Sequence, residues 1–271
     1  MPRFFKIAER IDSILSAFPN LRRKIDSACV EFHLLQENFN YDIDTNGERW
    51  LVQTLAGRGL LKTVFDVGAN HGDWTSEVLQ ASPAASIHCF EISPPTFKIL
   101  STCLSGRNRN VFLNPFGLSD SPGEIKIQYC PEGDGGTTMF DTVLKLRTET
   151  ISARVECGKS YCVEHGIKRM DCLKLDVEGA EHLVLRGFED LVNPVDIPIV
   201  QFEYGMANIV TKFLLKDFYA LFEGRGYKVG KLFPTSVRFR EYRFEDEDFR
   251  GPNYVAASPQ IASLLEKKGG G

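Results

Sequence analysis

From Leu61 onward the chain repeats one pattern: a short run of β-forming residues ends in a polar or acidic residue, a tight turn follows, and a helical stretch begins. "LKTVFDV" gives way to a helix from about Asp73, "SIHCFE" to a helix opened by Ser93 and Pro94, and "NVFLN" ends the series. Strands that alternate with helices leave few topologies, chiefly a parallel sheet with helices on both faces. The rhythm breaks after Leu113, where "GEIKIQYC" reads as an added strand after the turn "DSPG" and "PEGDGGTT" as a glycine-rich loop. It resumes with "MDCLKLDVEGAEHLVLRGF" and "IPIVQFEYG", each a strand followed by a helix. "YKVGKLF" and "PNYVAAS" read as two last strands, expected as a terminal hairpin on the sheet edge, and "EKKGGG" as a disordered end.

Before Leu61 the texture is helical. Phe4, Ile7, Ala8, Ile11, Leu15 and Phe18 recur at helical spacing, and Leu21, Ile25, Phe32 and Leu35 continue it after Pro19 and Asn20. Residues 1–57 are thus expected to form a helical segment, either a layer on the main domain or a lid or dimer arm. Residues 58–258 would be the main domain and 259–271 a flexible tail. A chain of 271 residues with formal charge -4 has no overall field that favours nucleic acid or an anionic membrane. The seven cysteines include no C-x-x-C pair, which argues against a zinc site or disulfide framework. The N-terminus lacks the apolar core of a signal peptide, and no stretch is apolar enough to span a bilayer, so a soluble, cytoplasmic protein is expected.

The turn after the first strand, "VFDVGANHGDWT", carries the first functional signal. A strand ending in a glycine turn that enters a helix is a ligand site on general grounds, because glycine lets a ligand approach the backbone. A dinucleotide fingerprint would need G-x-G-x-x-G, and this turn reads Gly68, Ala69, Asn70, His71, Gly72. The middle glycine is absent, and Asp66 stands two residues ahead of Gly68. A carboxylate there would repel a pyrophosphate and attract an ammonium, which favours S-adenosylmethionine over a nicotinamide dinucleotide. Glu91, at the end of the next strand, can accept ribose hydroxyls in either cofactor.

"KLDVEGAEHLVLRG" puts Asp176 at a further strand end and Glu178 near the following helix start, and Glu203 ends the next strand. Acids gathered on one sheet rim repel one another unless cations or ligands offset the charge. His182, four residues after Glu178, would share its helical face.

"FDVGANHG", "FEISP", "GLSDSPG", "LKLDVEGAEHLVLRG" and "VQFEY", in that order and spacing, resemble the FkbM-type S-adenosylmethionine-dependent methyltransferases over roughly Leu61 to Tyr204. The resemblance implies a class I methyltransferase (Rossmann-like) α/β fold. Its sheet would be seven-stranded and mostly parallel, in order 3-2-1-4-5-7-6 with the seventh strand antiparallel, behind an N-terminal helical segment. It also implies O-methylation of a small hydroxyl-bearing acceptor: a sugar, glycolipid or natural product. Carried onto matching positions, Asp66, Gly68, Ala69, Asn70 and Gly72 would cradle the methionine moiety. Glu91 and Ile92 would hold the ribose side, with Gly117, Leu118 and Ser119 bordering the adenine and Asp176 closing the site. "GDGGTT", Gly133 to Thr138, could add backbone donors and hydroxyls. An alcohol acceptor loses a proton on methylation, so a base is needed, and Asp176, Glu178, Glu203 and His182 are the candidates. The first three could instead bind a divalent cation, which is not expected. A nicotinamide-dependent oxidoreductase and a non-catalytic binding module stay as alternatives. No nucleic-acid partner is expected, and a homo-oligomer is possible.

Overall fold

The computed structural model describes residues 3–106, 109–131, 137–139, 147–250 and 252–266. The chain divides into two compact units, Met1–Phe39 and Asn40–Gly271. The smaller holds α1 (Arg3–Leu15) and α2 (Pro19–Gln36). Pro19 opens α2 in the first turn, where its missing amide costs nothing.

The larger unit begins with α3 (Glu48–Ala56), which the sequence reading grouped with the N-terminal segment. Leu51, Val52 and Leu55 on α3 are buried against the sheet, each worth roughly 1.5–3 kcal/mol. There follow β1 (Thr63–Val67), α4 (Asp73–Ala81), β2 (Ser86–Phe90), α5 (Pro94–Leu104) and β3 (Val111–Asn114). Ser93 caps α5, its hydroxyl accepting from the Thr96 amide, with Pro94 behind it. Next come β4 (Gly117–Ser119), β5 (Gly123–Tyr129), β6 (Glu149–Cys157), α6 (Gly158–Glu164), β7 (Cys172–Leu175) and α7 (Glu181–Phe188). The chain continues through β8 (Ile199–Glu203), α8 (Ala207–Thr211), α9 (Leu215–Glu223), β9 (Lys228–Phe233), β10 (Ser236–Phe239), β11 (Asn253–Ala257) and α10 (Pro259–Leu265).

Among the described residues the main sheet runs β10-β9-β11-β8-β7-β1-β2-β3. Without β10 this is the order 3-2-1-4-5-7-6, and β11 is antiparallel to both neighbours, as a class I methyltransferase fold requires. Three details differ from the sequence reading. The last strand enters between β8 and β9, and β9 forms its hairpin with the edge strand β10. The added strand β5 pairs with β6 in a separate three-stranded sheet with β4. Residues 259–265, expected in a flexible tail, form α10, which buries Ile261, Ala262 and Leu265 under a Ser258 cap. "KKGGG", 267–271, lies outside the described residues.

Strand alternation sorts the interior into two cores. Phe65, Val67, Leu173, Leu175, Val200 and Phe202 point to the face covered by α7 and α9, while Val64, Cys172, Ile199 and Val255 point to the face covered by α3 and α4. On that second face, near the carboxyl ends of the strands, the apolar series stops. Asp66, Lys174 and Gln201 sit side by side in neighbouring strands.

Candidate functional site

The carboxyl edge of the sheet opens into a cavity of about 230 Å³. Of the expected residues, Gly68, Asn70, Glu91, Ile92, Gly117, Leu118, Asp176, Glu178 and Glu203 line it. One wall is the turn after β1. Gly68 has φ +81°, and a Cβ there would lie 1.7 Å from the Asp176 carbonyl oxygen, so only glycine lets β1 and β7 end so close together. The Gly68 and Ala69 amides both donate to the Phe90 carbonyl, at 2.9 and 3.0 Å. Glu91 ties this turn to the next. Its two oxygens accept from the Asn70 amide at 2.9 Å and the Ser93 amide at 2.8 Å.

The neighbouring wall, at the ends of β7 and β8, is acidic. Asp176, Glu178 and Glu203 bring carboxylate oxygens within 4.8 Å of one another. Behind them Lys174, whose side chain is 6% exposed, points its ammonium 3.2 Å from Asp176 Oδ2 and 3.3 Å from Asp66 Oδ1. Burial alone would strip the Lys174 proton, but Asp66, Asp176 and Glu48 around it hold the ammonium charged. Burial also works against the Asp176 carboxylate, and Lys174 with a hydrogen bond from Glu203 overcomes it, leaving Asp176 below its ordinary range. Glu203 is pushed well above the ordinary range by burial and then by Asp176 and Glu178. Glu178 rises to about 8, again through burial and then Asp176 and Glu181. Near neutral pH the cluster therefore holds one firm carboxylate, one retained proton and one group poised to titrate.

Several expected residues lie elsewhere. Asp66 is fully buried below the cavity floor, where Thr75 Oγ1 donates to it at 2.7 Å and Lys174 pairs with it; it is a strut under the turn and does not line the cavity. Ala69 is buried, and Gly72, at φ +89°, caps α4 against Leu100 and Leu104. Ser119 packs beside α7, its carbonyl against Gly187. His182 does not share a helical face with Glu178: α7 begins at Glu181, after Glu178 and Gly179 take positive φ. The His182 ring stacks on Phe213 and its Nδ1 lies 3.1 Å from the Gly179 carbonyl. Of "GDGGTT", 133–136 lie outside the described residues, while Thr137 and Thr138 line the cavity.

The sequence reading missed Tyr41, Asn46, Glu48 and Asn253, which also line it. Asn46 Nδ2 donates to Glu48 Oε2 at 2.7 Å, and Gln201 Nε2 donates to Glu48 Oε1 at 2.6 Å and to Asn253 Oδ1 at 3.0 Å. Glu181 was missed as well. Its Oε1 accepts from the Val177 and Gly179 amides, holding the loop that presents Glu178.

A family model for the FkbM methyltransferase domain matches residues 66–229, which include both walls. The chain belongs to the FkbM methyltransferase family. It is similar to the hexuronic acid methyltransferase AglP of Haloferax volcanii, 30% identical over 63% of this chain and 69% of that protein. The 2-O-methyltransferase NoeI of Sinorhizobium fredii is 25% identical over 46% of this chain and 56% of its own length. The 31-O-demethyl-FK506 methyltransferase FkbM of Streptomyces tacrolimicus is 27% identical over 47% and 59%. The chain therefore spans little more than half of the last two. This FkbM-family chain is an S-adenosylmethionine-dependent methyltransferase.

The cavity fits that cofactor. Ile92 and Leu118 offer apolar surface for a base, and Glu91 offers acceptors for a diol. The Thr137 hydroxyl is buried with no partner among the described residues, and the acidic wall suits a positive charge. No helix among the described residues is long and apolar enough to cross a membrane.

Proposed function

We propose that the enzyme methylates a hydroxyl oxygen on a polyhydroxylated acceptor such as a sugar, glycolipid or natural product, with Glu178 as the base. The observation that carries this reading is the grouping of Asp176, Glu178 and Glu203 in the same cavity that Glu91 lines. The names of AglP and NoeI, a hexuronic acid methyltransferase and a 2-O-methyltransferase, support a sugar-like acceptor. Bound between the two walls, S-adenosylmethionine supplies a methyl group activated on a positively charged sulfur. Gly68, Asn70, Glu91, Ile92, Gly117 and Leu118 hold its nucleoside and amino-acid parts.

The chain's own residues manage the acceptor. Its hydroxyl donates to the ionised form of Glu178, beside the Asp176 carboxylate that Lys174 keeps ionised and fixed in place. Glu178 takes the proton as the new carbon–oxygen bond forms, and a base that titrates near 8 is matched to work close to neutral pH. Glu203 keeps its proton and steadies Asp176. Asn46, Glu48 and Asn253 present a prearranged hydrogen-bonding edge for further acceptor hydroxyls. The buried free thiols of Cys89, Cys162 and Cys172 support a reducing, cytoplasmic setting.

The test is transfer of a labelled methyl group from S-adenosylmethionine to a panel of uronic acids, deoxysugars, glycolipids and amines, with wild type and Glu178→Gln. Labelling of hydroxyl acceptors that falls at least a hundredfold in the variant supports the reading. Labelling confined to amines, or unaffected by the substitution, overturns it. A second reading places a divalent cation among the three carboxylates, favoured by their 4.8 Å spacing. Loss of transfer in a chelator, restored by magnesium or manganese, would select it.

A further inference from the structure

The smaller unit carries a feature that methyl transfer does not use. Phe4, Ile7, Ile11, Ile14 and Phe18 are spaced alternately by three and four residues, and Leu21, Ile25, Ala28, Phe32 and Leu35 continue the same alternation without losing phase. This is a heptad repeat with every a and d position apolar. The repeat continues through the sequence of α2, although the helix itself breaks at residues 16–18, where an Asp12–Arg22 ion pair at 2.8 Å joins the two helices. A repeat of 3.5 residues marks a seam that meets another helix, which is narrower than the broad stripe of a helix lying on a globular core.

Within Lys6–Glu37 no residue is buried. The seam side chains from Ile7 to Leu35, Ala28 aside, are between 37% and 77% exposed. At roughly 100 Å² each, these eight side chains offer about 800 Å² per chain, the share that each partner contributes to a stable interface of standard size. We infer that this seam is the pairing surface for a second copy of the same chain, which joins two subunits through a short coiled coil.

Charge is compatible with self-pairing. With Phe4 at position a, the g residues of one helix would face the e residues of its parallel partner. Arg10 then meets Leu15, Ala17 meets Arg22, Lys24 meets Cys29 and Glu31 meets Gln36, so no like charges oppose each other. A bilayer surface fits less well. The polar side mixes Glu9, Asp12, Asp26 and Glu31 with Arg10, Arg23 and Lys24, whereas an interfacial helix presents a cationic face.

Sedimentation velocity on the full chain tests the inference, with wild type, the double variant Ile25→Asp and Phe32→Asp, and Arg23→Glu on the outer side of α2. The expected masses are twice 30.5 kDa for wild type and Arg23→Glu, and 30.5 kDa for the double variant. S-adenosylmethionine binding is expected to be the same in all three, which shows that the main unit is folded. A wild type that stays monomeric at tens of micromolar overturns the inference. So does a dimer that survives the double substitution, or a monomer that co-sediments with phosphatidylglycerol vesicles.

Discussion

The two neighbouring strand ends that line the cavity, after β1 and after β7, are stabilised in different ways. After β1 the chain is held by backbone: two amides on one carbonyl, a glycine that fits because it has no Cβ, and the Glu91 carboxylate clamped by two more amides. After β7 the chain presents charge: Asp176 pairs with Lys174, and the Asp176 charge in turn raises Glu178 and Glu203. Backbone hydrogen bonds do not titrate, so the first wall has the same shape at any working pH. The carboxyl groups do titrate, so the second wall can accept and release a proton. A methyltransferase needs both properties, a fixed seat for the donor and a proton acceptor beside the nucleophile.

Lys174 touches both walls, since its ammonium, paired with Asp176, also approaches the Gly68 carbonyl at 3.4 Å. Replacing it with methionine should have the largest effect, because Asp66, which is 0% exposed, would lose its cation. Breaking a buried pair by removing one partner costs about 3–5 kcal/mol. Thermal unfolding should show that loss, and activity should fall with it. A Lys174→Met protein that melts like wild type would mean that the walls are independent.

Glu178→Gln separates the walls instead of breaking both. We expect kcat to fall by about 10²–10⁴ while cofactor affinity stays within a few-fold of wild type. Wild-type kcat/KM should rise with pH through an apparent pKa of about 8, and the variant should lack that limb. Glu91→Gln is the complementary change. It turns an amide NH2 group toward the Asn70 or Ser93 amide, an unmade buried hydrogen bond worth about 1–3 kcal/mol. Calorimetric titration of S-adenosylmethionine should show affinity weakened by about ten- to a hundredfold, with the pH limb unmoved. If both variants changed affinity and pH profile alike, the division of labour would be wrong.

The two walls were also unequally legible in the sequence. The β1 wall is local: strand, glycine turn and helix follow within a dozen residues, and Glu91 ends the adjacent strand, so residue order alone places them. Asp66 was located correctly but given the wrong task, because its partner Lys174 lies 108 positions away. Glu48 and Asn253 are not legible locally because Gln201 joins them across up to 153 positions, and Asn46 is attached through Glu48. His182 was misjudged because Gly179 delays the helix by about a turn. One local signal does lie in the sequence near the C-terminus. Ser258–Pro259 opens α10 with the same serine cap that Ser93–Pro94 gives α5, but the glycine-rich end beyond it drew the reading toward a flexible tail.

The last expected effect is on the pH dependence of stability, and it follows from the acidic wall. Burial lifts Glu178 to about 8 and Glu181 to about 7 from an ordinary 4.5. Both groups bind protons more tightly in the folded protein than in the unfolded chain, so folding takes up protons between pH 4.5 and about 8. Stability must then fall as pH rises across that window and level off above it, the reverse of a carboxylate held by a salt bridge. Melting temperatures measured from pH 5 to 9 should decline through this range, and Glu178→Gln should flatten the upper part of the decline. Saturating S-adenosylmethionine should flatten it too, because a positive ligand favours the ionised wall. The Glu91→Gln variant should keep the full slope, since it leaves Glu178 and Glu181 in place. A slope that vanished in Glu91→Gln, or persisted unchanged in Glu178→Gln, would mean that the titrating charge is not where the cavity places it.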